Sequence, residues 1–306
     1  MIVDAHSHIF SELRGQTGQG VARGLDYGRA QWGSKEIQFL PPFAGRLSNP
    51  SDVVIANMDW AGVDKAVLLQ GPFYGECNQY VLEALGRFPT RLIGAAYMDP
   101  WMASAREALE TILAVDKFRA VKLECSEAAG LCGLHEDAQL DSPDLLWLWD
   151  ALDRHGLVLT LDLGAVGTRS YQTAAVRGIA EAHPNLRIVI ADLGQPTPPV
   201  EADPLLWTKW QEQIDLGHLP NIWFDASALV AYLPEESYPY PTAARYLQLA
   251  VERIGSHRIM WGTDQPGTLI HATYRQYVEM ARHHTRFLSQ REQALVLGEN
   301  ALAVYG

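Results

Sequence analysis

Two stretches, GLVLTLDLG at 156–164 and LRIVIADLG at 186–194, are the clearest fold signals in the chain. Each is a short, nearly continuous apolar run that ends in Asp-Leu-Gly. The residues between them, RSYQTAAVRGIAEAHP at 169–184, have the spacing of an amphipathic helix. Apolar strands that alternate with helices of this length are typical of a parallel sheet covered by helices.

The same strand-then-helix pattern recurs along the whole sequence. Eight candidate strands are present: MIVDAH (1–6), KAVLLQG (65–71), RLIGAAYM (91–98), FRAVKLE (118–124), GLVLTLDLG (156–164), LRIVIADLG (186–194), NIWFDAS (221–227) and RIMWGTD (258–264). Eight units favour a closed (β/α)₈ TIM barrel over an open sheet, which would usually carry a Gly-rich turn after its first strand. We therefore predict a single α/β domain over residues 1–306.

Two connections are long enough to be pocket walls or lids. One covers residues 10–50 after the first strand, and the other, QPTPPVEADPLLWTKWQEQIDLGHLP, follows the sixth strand at 195–220. Both leave the carboxyl ends of their strands, which is the face where barrel active sites lie. We expect both to be long loops beside the active site.

Composition narrows the class of function. The formal net charge of −12 argues against nucleic acid and anionic membranes, which need clustered Lys and Arg. The three cysteines show no paired spacing, which favours a reducing compartment over a disulfide framework. The chain shows no export signal and no apolar membrane span, so we expect a cytoplasmic enzyme with a small-molecule substrate; self-association is left open.

The first strand carries His6 and His8 in VDAHSHI. Residues i and i+2 of a strand share a face, so both imidazoles can approach one metal ion at the barrel mouth. Two solvated histidines at a strand end are the structural alternative. The position at the end of the first barrel strand favours the metal.

Five motifs in order, IVDAHSHIF, MDWAGVDKAVLLQ, FRAVKLE, RIMWGTDQP and VLGENALAVYG, together resemble the amidohydrolase-related family. This family includes aminocarboxymuconate-semialdehyde decarboxylase, resorcylate-type decarboxylases, sugar-acid lactonases and pyrone-dicarboxylate hydrolase. The resemblance implies a (β/α)₈ barrel with a divalent metal held by His6, His8 and Asp264. Relatives commonly add a histidine from the fifth strand.

The chain departs from the family pattern at the fifth and sixth strands. Asp162 and Asp192 stand where the resemblance leads us to expect histidines, and neither strand contains any histidine. The resulting metal ligands would be His6, His8, Asp162 and Asp264. This oxygen-rich set shifts preference from zinc towards manganese, iron or magnesium, although zinc still fits.

We therefore expect one divalent ion, zinc or manganese, and keep loss of the metal as the alternative. Strand parity predicts that Lys122 and Glu124 also face the barrel mouth. Crowded carboxylates there need a counter-charge or must take up protons. Lys122 lies where the wider superfamily often has a carboxylated, metal-bridging lysine, but the histidines that such a site needs are absent.

The leading hypothesis is a metal-dependent hydrolase that cleaves a lactone, ester or amide bond of a small metabolite. Asp264 would accept the proton of water, and Lys122 or Asp192 would assist at the oxyanion or leaving group. Arg169 and Glu124 are candidate substrate-binding residues. A non-oxidative decarboxylase of an aromatic or unsaturated acid is the second hypothesis, and a catalytically lapsed barrel with a binding role is the third.

Overall fold

Eight parallel strands form the barrel in a computed structural model that describes residues 1–306. The order around the sheet follows the order in the chain, as a (β/α)₈ barrel requires. The barrel strands are β1 (Val3–Ser7), β6 (Lys65–Leu68), β7 (Leu92–Tyr97), β8 (Phe118–Glu124), β9 (Val158–Asp162), β10 (Ile188–Ile190), β11 (Ile222–Ala226) and β12 (Ile259–Trp261). The predicted TIM barrel, a single domain, is confirmed.

Helices between the strands cover the outside of the barrel. They are α1 (Ser51–Ala61), α2 (Asn78–Arg87), α3 (Ala105–Val115), α4 (Leu131–Leu134), α5 (Leu146–His155), α6 (Thr173–Ala182), α7 (Pro198–Ala202), α8 (Pro204–Ile214), α9 (Pro241–Ile254), α10 (Tyr274–His284), α11 (Gln290–Ala294) and α12 (Asn300–Tyr305). Their apolar faces and the outward strand residues form the main core of 68 buried side chains, which fixes the barrel as one packed unit. None of these helices is long and apolar enough to cross a membrane.

The inside of the barrel is filled by a second, smaller apolar cluster. Alternate residues of the strands point inward, among them Ala120 on β8 and Val158 on β9. The Tyr305 ring of α12 packs against this cluster at the amino-terminal end, where its hydroxyl lies 2.8 Å from Thr160 Oγ1. The same alternation points Lys122, Glu124 and Asp162 inward at the carboxyl ends of the strands. The amino-terminal end of the barrel is therefore filled by apolar side chains, and the carboxyl-terminal end is lined by polar ones.

The long connection after β1 is more ordered than a loop. It contains a four-stranded antiparallel sheet of β2 (Arg14–Thr17), β3 (Gly20–Gly24), β4 (Arg29–Trp32) and β5 (Lys35–Gln38). The connection after β10 likewise folds into α7 and α8. Both connections leave the carboxyl ends of their strands, as predicted, and both contain secondary structure of their own.

Asp4 closes the barrel between its first and last strands. Its buried carboxylate accepts hydrogen bonds from Thr263 N (2.9 Å), Thr263 Oγ1 (2.6 Å) and Tyr274 Oη (2.9 Å). Next to this carboxylate, Asp264 N donates to His6 O at 2.8 Å. Asp4 therefore holds the turn that carries Asp264 against the strand that carries His6.

We expect Asp4→Ala to lower the free energy of unfolding by about 3 kcal/mol, because it leaves buried Thr263 and Tyr274 donors without their acceptor. Asp59→Ala, which removes only an exposed pair with Arg91, should change it by less than about 1 kcal/mol. Urea unfolding followed by circular dichroism measures both. Equal midpoints for the two variants would contradict the assigned role of Asp4.

Candidate functional site

A cavity of about 310 Å³ opens at the carboxyl ends of the barrel strands. Its floor and one side are polar, and its outer wall is aromatic. The lining residues are His8, Trp32, Ile37, Phe39, Gly71, Phe73, Tyr74, Lys122, Glu124, Ser126, Ala129, Asp162, Asp192, Gln195, Tyr232 and Asp264. No arginine is among them, and Lys122 is the one lysine.

His8 is held in one orientation from two sides. Its Nδ1 lies 2.8 Å from the carbonyl oxygen of Leu69, which can only accept, so Nδ1 carries the proton. Its ring stacks on Tyr74 with 4.4 Å between centroids. Burial and the Lys122 charge lower the pKa of His8 well below its usual value. The ring is therefore neutral, and its Nε2 lone pair faces Asp264.

His6 lies beneath the cavity floor and is also fixed through its Nδ1. That nitrogen donates towards Asp225 Oδ2 at 3.2 Å and lies 3.0 Å from Ser227 Oγ. Its Nε2 accepts a hydrogen bond from Lys122 Nζ at 3.1 Å. A Cβ on Gly262 would lie 2.9 Å from the His6 Cβ, so glycine is needed at that position for the imidazole to fit.

Asp264 sits where the two histidines converge. Its Oδ1 lies 2.9 Å from His8 Nε2 and 3.6 Å from His6 Nε2. Loss of hydration in the barrel mouth raises the pKa of Asp264 to about 8, and Asp192 contributes to the increase. Because both facing atoms, His8 Nε2 and Asp264 Oδ1, are acceptors when unprotonated, a proton or a cation must lie between them.

Asp192 and Asp264 share an unusual backbone conformation. Their φ angles are 57° and 58°, in the left-handed region that residues other than glycine rarely adopt. Asp192 is held by a hydrogen bond from its backbone N to Asp225 Oδ1 at 3.0 Å. Such conformations cost about 1 to 3 kcal/mol each and concentrate at active sites, which supports a functional role for both carboxyl groups.

A hydrogen-bonded group connects Asp192 to the underside of His6. Ser227 Oγ lies 2.6 Å from Asp192 Oδ1 and also contacts Asp225, while Tyr232 Oη donates to Asp192 Oδ2 at 2.7 Å. Burial raises the pKa of Asp192 to about 6. Asp192 therefore lines the cavity on one side and contacts, on the other, Ser227, which also lies against His6.

Glu124 and Asp162 form a second acidic group on the opposite side. Burial and the neighbouring Glu124 raise the pKa of Asp162 well above its usual value. Asp162 Oδ1 accepts from Gly164 N at 2.9 Å and from Gln195 Nε2 at 3.3 Å. Lys122 Nζ lies 3.6 Å from Glu124 Oε2, and although burial opposes its charge, the surrounding carboxylates raise the pKa of Lys122, so it stays an ammonium.

The structure brings most of the sequence-predicted site residues into one mouth: His6, His8, Lys122, Glu124, Asp162, Asp192 and Asp264. Arg169 lies outside it, because its guanidinium pairs with Glu127 and donates to the carbonyl groups of Cys132 and Glu136. With these partners, the guanidinium has no pair of free N–H groups to bind a substrate carboxylate. The position of Arg169 therefore does not support the expectation that it binds substrate.

Sequence reasoning missed Asp225, Ser227, Tyr232 and Gln195. Asp225 was detectable, since an acidic residue within the apolar run NIWFDAS must face a partner if it is buried. Ser227 shares the inward face of the same strand end. Tyr232 and Gln195 come from connections, where no periodicity indicates which side chains turn inward.

The donor set fits a divalent metal. His6, His8 and Asp264 each offer one ligand atom, and these atoms lie within 4.8 Å of one another. Both Nδ1 atoms are occupied by a carbonyl or carboxylate, which is how metal-binding histidines are usually oriented. Asp162 does not belong to this group; its carboxylate bonds Gly164 and Gln195 instead. The expected fourth ligand is therefore not brought to the other three.

Residues 3–306 match the family described as amidohydrolase. The chain belongs to the amidohydrolase family. No curated protein matches the chain significantly. The family membership predicted from the sequence is confirmed, and it makes the protein an enzyme of a family of hydrolases and decarboxylases.

Similar solved structures show the same barrel. A zinc-bound amidohydrolase from Burkholderia multivorans has a TM-score of 0.72 at 16% identity, with 100% of this chain and 99% of that chain covered. A probable 2-pyrone-4,6-dicarboxylic acid hydrolase from Acinetobacter baumannii scores 0.70 at 19% identity, covering 100% and 99%. The 5-carboxyvanillate decarboxylase of Sphingomonas paucimobilis scores 0.57 at 18% identity, covering 85% and 84%.

We expect Asp225→Asn to weaken Zn²⁺ binding about 10- to 100-fold, because an amide cannot replace the carboxylate that fixes the Nδ1 proton of His6. Competition with a chromophoric chelator measures the affinity, and circular dichroism checks folding. Asp59→Asn, on the surface, is the matched control. An unchanged affinity in Asp225→Asn would contradict the role assigned to Asp225 in orienting His6.

Proposed function

We propose that the protein hydrolyses a lactone or ester bond in a small, uncharged, hydroxylated ring compound. The observation that carries this proposal is the charge of the cavity. Four carboxyl groups line it against one lysine and no arginine. A substrate carboxylate entering this mouth would compete with four carboxyl groups for a single ammonium, whereas substrate hydroxyl groups can donate to the carboxyl oxygens.

The outer wall supports a ring-shaped substrate. Trp32 and Ile37 come from the small sheet β2–β5, and Phe39 directly follows it. Phe73 and Tyr74 come from the connection after β6. Phe73 contacts both Trp32 and Phe39, with centroid separations of 5.5 and 5.4 Å. A largely aromatic wall opposite these acceptors suits a ring with one apolar face and hydroxyl groups on its edge.

Asp264 is placed to accept the proton of the attacking water. It is the one carboxyl group that contacts both His6 and His8, and its side chain is 27% exposed towards the cavity. A divalent ion held by His6, His8 and Asp264, zinc or manganese by the chemistry of these ligands, would supply polarisation of the carbonyl group and activation of water when bound. The raised pKa of Asp264 suits a group that takes up a proton and returns it near neutral pH.

Asp192 and Tyr232 are placed to act at the leaving oxygen. Their hydrogen-bonded side chains line the cavity beside Asp264, and Ser227 supports Asp192 from below. Asp192 would donate a proton to the departing alkoxide, and the Lys122 ammonium would stabilise negative charge on the carbonyl oxygen. Water is thus added across the bond, giving a carboxylic acid and an alcohol.

Decarboxylation is the second reaction represented among the similar structures. Decarboxylation requires the cavity to bind a substrate carboxylate next to four carboxyl groups, and Arg169 does not line the cavity. The same argument separates this protein from a pyrone-dicarboxylate hydrolase, whose substrate carries two carboxylates. We therefore favour hydrolysis of an uncharged substrate over decarboxylation.

The test is product analysis in water labelled with the heavy oxygen isotope. Neutral sugar lactones and neutral aromatic lactones should gain one labelled oxygen, detected by mass spectrometry. 2-Pyrone-4,6-dicarboxylate and a dihydroxybenzoate should react slowly or not at all. Carbon dioxide released without label in the product would reject the proposal.

We expect Asp264→Asn to lower kcat about 10²- to 10⁴-fold on any neutral lactone that the enzyme hydrolyses, because it removes the proton acceptor. Asp59→Asn should leave kcat unchanged. Steady-state assays at saturating metal measure both. A variant that retains normal kcat would show that Asp264 is not the base.

We expect Trp32→Ala to raise KM about tenfold with little change in kcat, because this ring contacts the substrate away from the reacting bond. Trp60→Ala, an exposed tryptophan on α1, is the control. Loss of kcat with KM unchanged would place Trp32 at the reaction centre instead of the binding wall.

A further inference from the structure

Lys122 occupies the metal-facing nitrogen of His6. Its Nζ lies 3.1 Å from His6 Nε2, the nitrogen that converges with His8 Nε2 and Asp264 Oδ1. The imidazole Nε2 has a single lone pair, because Nδ1 carries the proton donated to Asp225. That lone pair can bind the ammonium or a metal ion, but not both.

The lysine side chain has a second acceptor close by. Glu124 Oε2 lies 3.6 Å from Nζ, and Glu124 lines the cavity from the end of the same strand. The Lys122 side chain is 3% exposed, so its charge has to be balanced by these neighbours and not by water. The ammonium can therefore leave His6 and remain paired with Glu124.

We propose that Lys122 is the resident cation of this centre and competes with a divalent ion for His6 Nε2. In the metal-free enzyme the ammonium balances part of the charge of the carboxylates and occupies His6 Nε2. Metal binding requires the ammonium to move from His6 to Glu124, so Lys122 weakens the affinity for metal. The inference concerns the occupancy of the centre and holds whichever bond the enzyme cleaves.

The experiment is a Co²⁺ titration of the purified apoprotein, followed by the visible absorption of the bound ion. We expect Lys122→Met to bind Co²⁺ about tenfold more tightly or better than the wild type, because the ammonium that competes for His6 Nε2 is removed. Lys122→Arg, which keeps the charge, should bind no more tightly than the wild type. Lys117→Met, an exposed lysine, should match the wild type.

A double variant separates the contact with His6 from the overall charge. Lys122→Met/Glu124→Gln removes one positive and one negative group, so the net charge of the cavity is that of the wild type. Tighter Co²⁺ binding that persists in the double variant supports competition at His6. Tighter binding in the single variant alone would assign the effect to overall charge and overturn the proposal.

Two further outcomes overturn it. Weaker Co²⁺ binding by Lys122→Met would mean that the lysine assists the metal, and equal binding would mean that the ammonium does not obstruct it. Circular dichroism and thermal unfolding confirm that each variant is folded before titration. Because the readout is metal affinity, failure here leaves the proposed hydrolysis standing, and failure of the hydrolysis assay leaves this result unaffected.

Discussion

The balance of charge at the carboxyl end of the barrel is the constraint on which the site depends. Glu124, Asp162, Asp192, Asp225 and Asp264 lie at the carboxyl ends of five consecutive strands, β8 to β12, and are largely shielded from bulk water, Asp264 the least with a side chain that is 27% exposed. In such a medium, carboxylates at close range cannot all remain ionised without cations or shared protons. The Lys122 ammonium meets part of this need directly. Protons held at raised pKa, or a divalent ion, must meet the rest.

The need to balance these charges is met by side chains arranged in three layers, from the inside of the barrel to the outer wall of the cavity. The lowest layer, Asp225 and Ser227, fixes the proton on His6 and supports Asp192. The next layer holds the ligand atoms of the candidate metal centre, and the outermost layer is the aromatic wall from the β2–β5 sheet. Asp4 connects the layers to the barrel by fixing the turn that presents Asp264. The left-handed backbone of Asp192 and Asp264 is tolerated because these supports determine it.

The sequence was sufficient for the barrel and for most of the mouth. Apolar strands buried on both faces have a recognisable pattern. Because side chains alternate along a strand, the sequence also predicts that Lys122, Glu124 and Asp162 point into the barrel, as they do in the structure. The sequence does not predict the positions of side chains that lie in the connections between strands and helices. The β2–β5 sheet was missed because its short strands are rich in Gly and polar residues. The sequence does not decide where the Arg169 side chain points, because a loop residue near the mouth can equally pair with Glu127 or with backbone carbonyls.

Replacement of the expected histidines by Asp162 and Asp192 has different consequences on the two strands. Asp192 enters the hydrogen-bonded group beneath His6, whereas Asp162 pairs with Glu124 and Gln195 on the far side. Neither change adds a third nitrogen ligand, and both add negative charge to the cavity. The proposed uncharged substrate and the proposed role of Lys122 as a resident cation both rest on one feature, the excess of carboxyl groups in the barrel mouth.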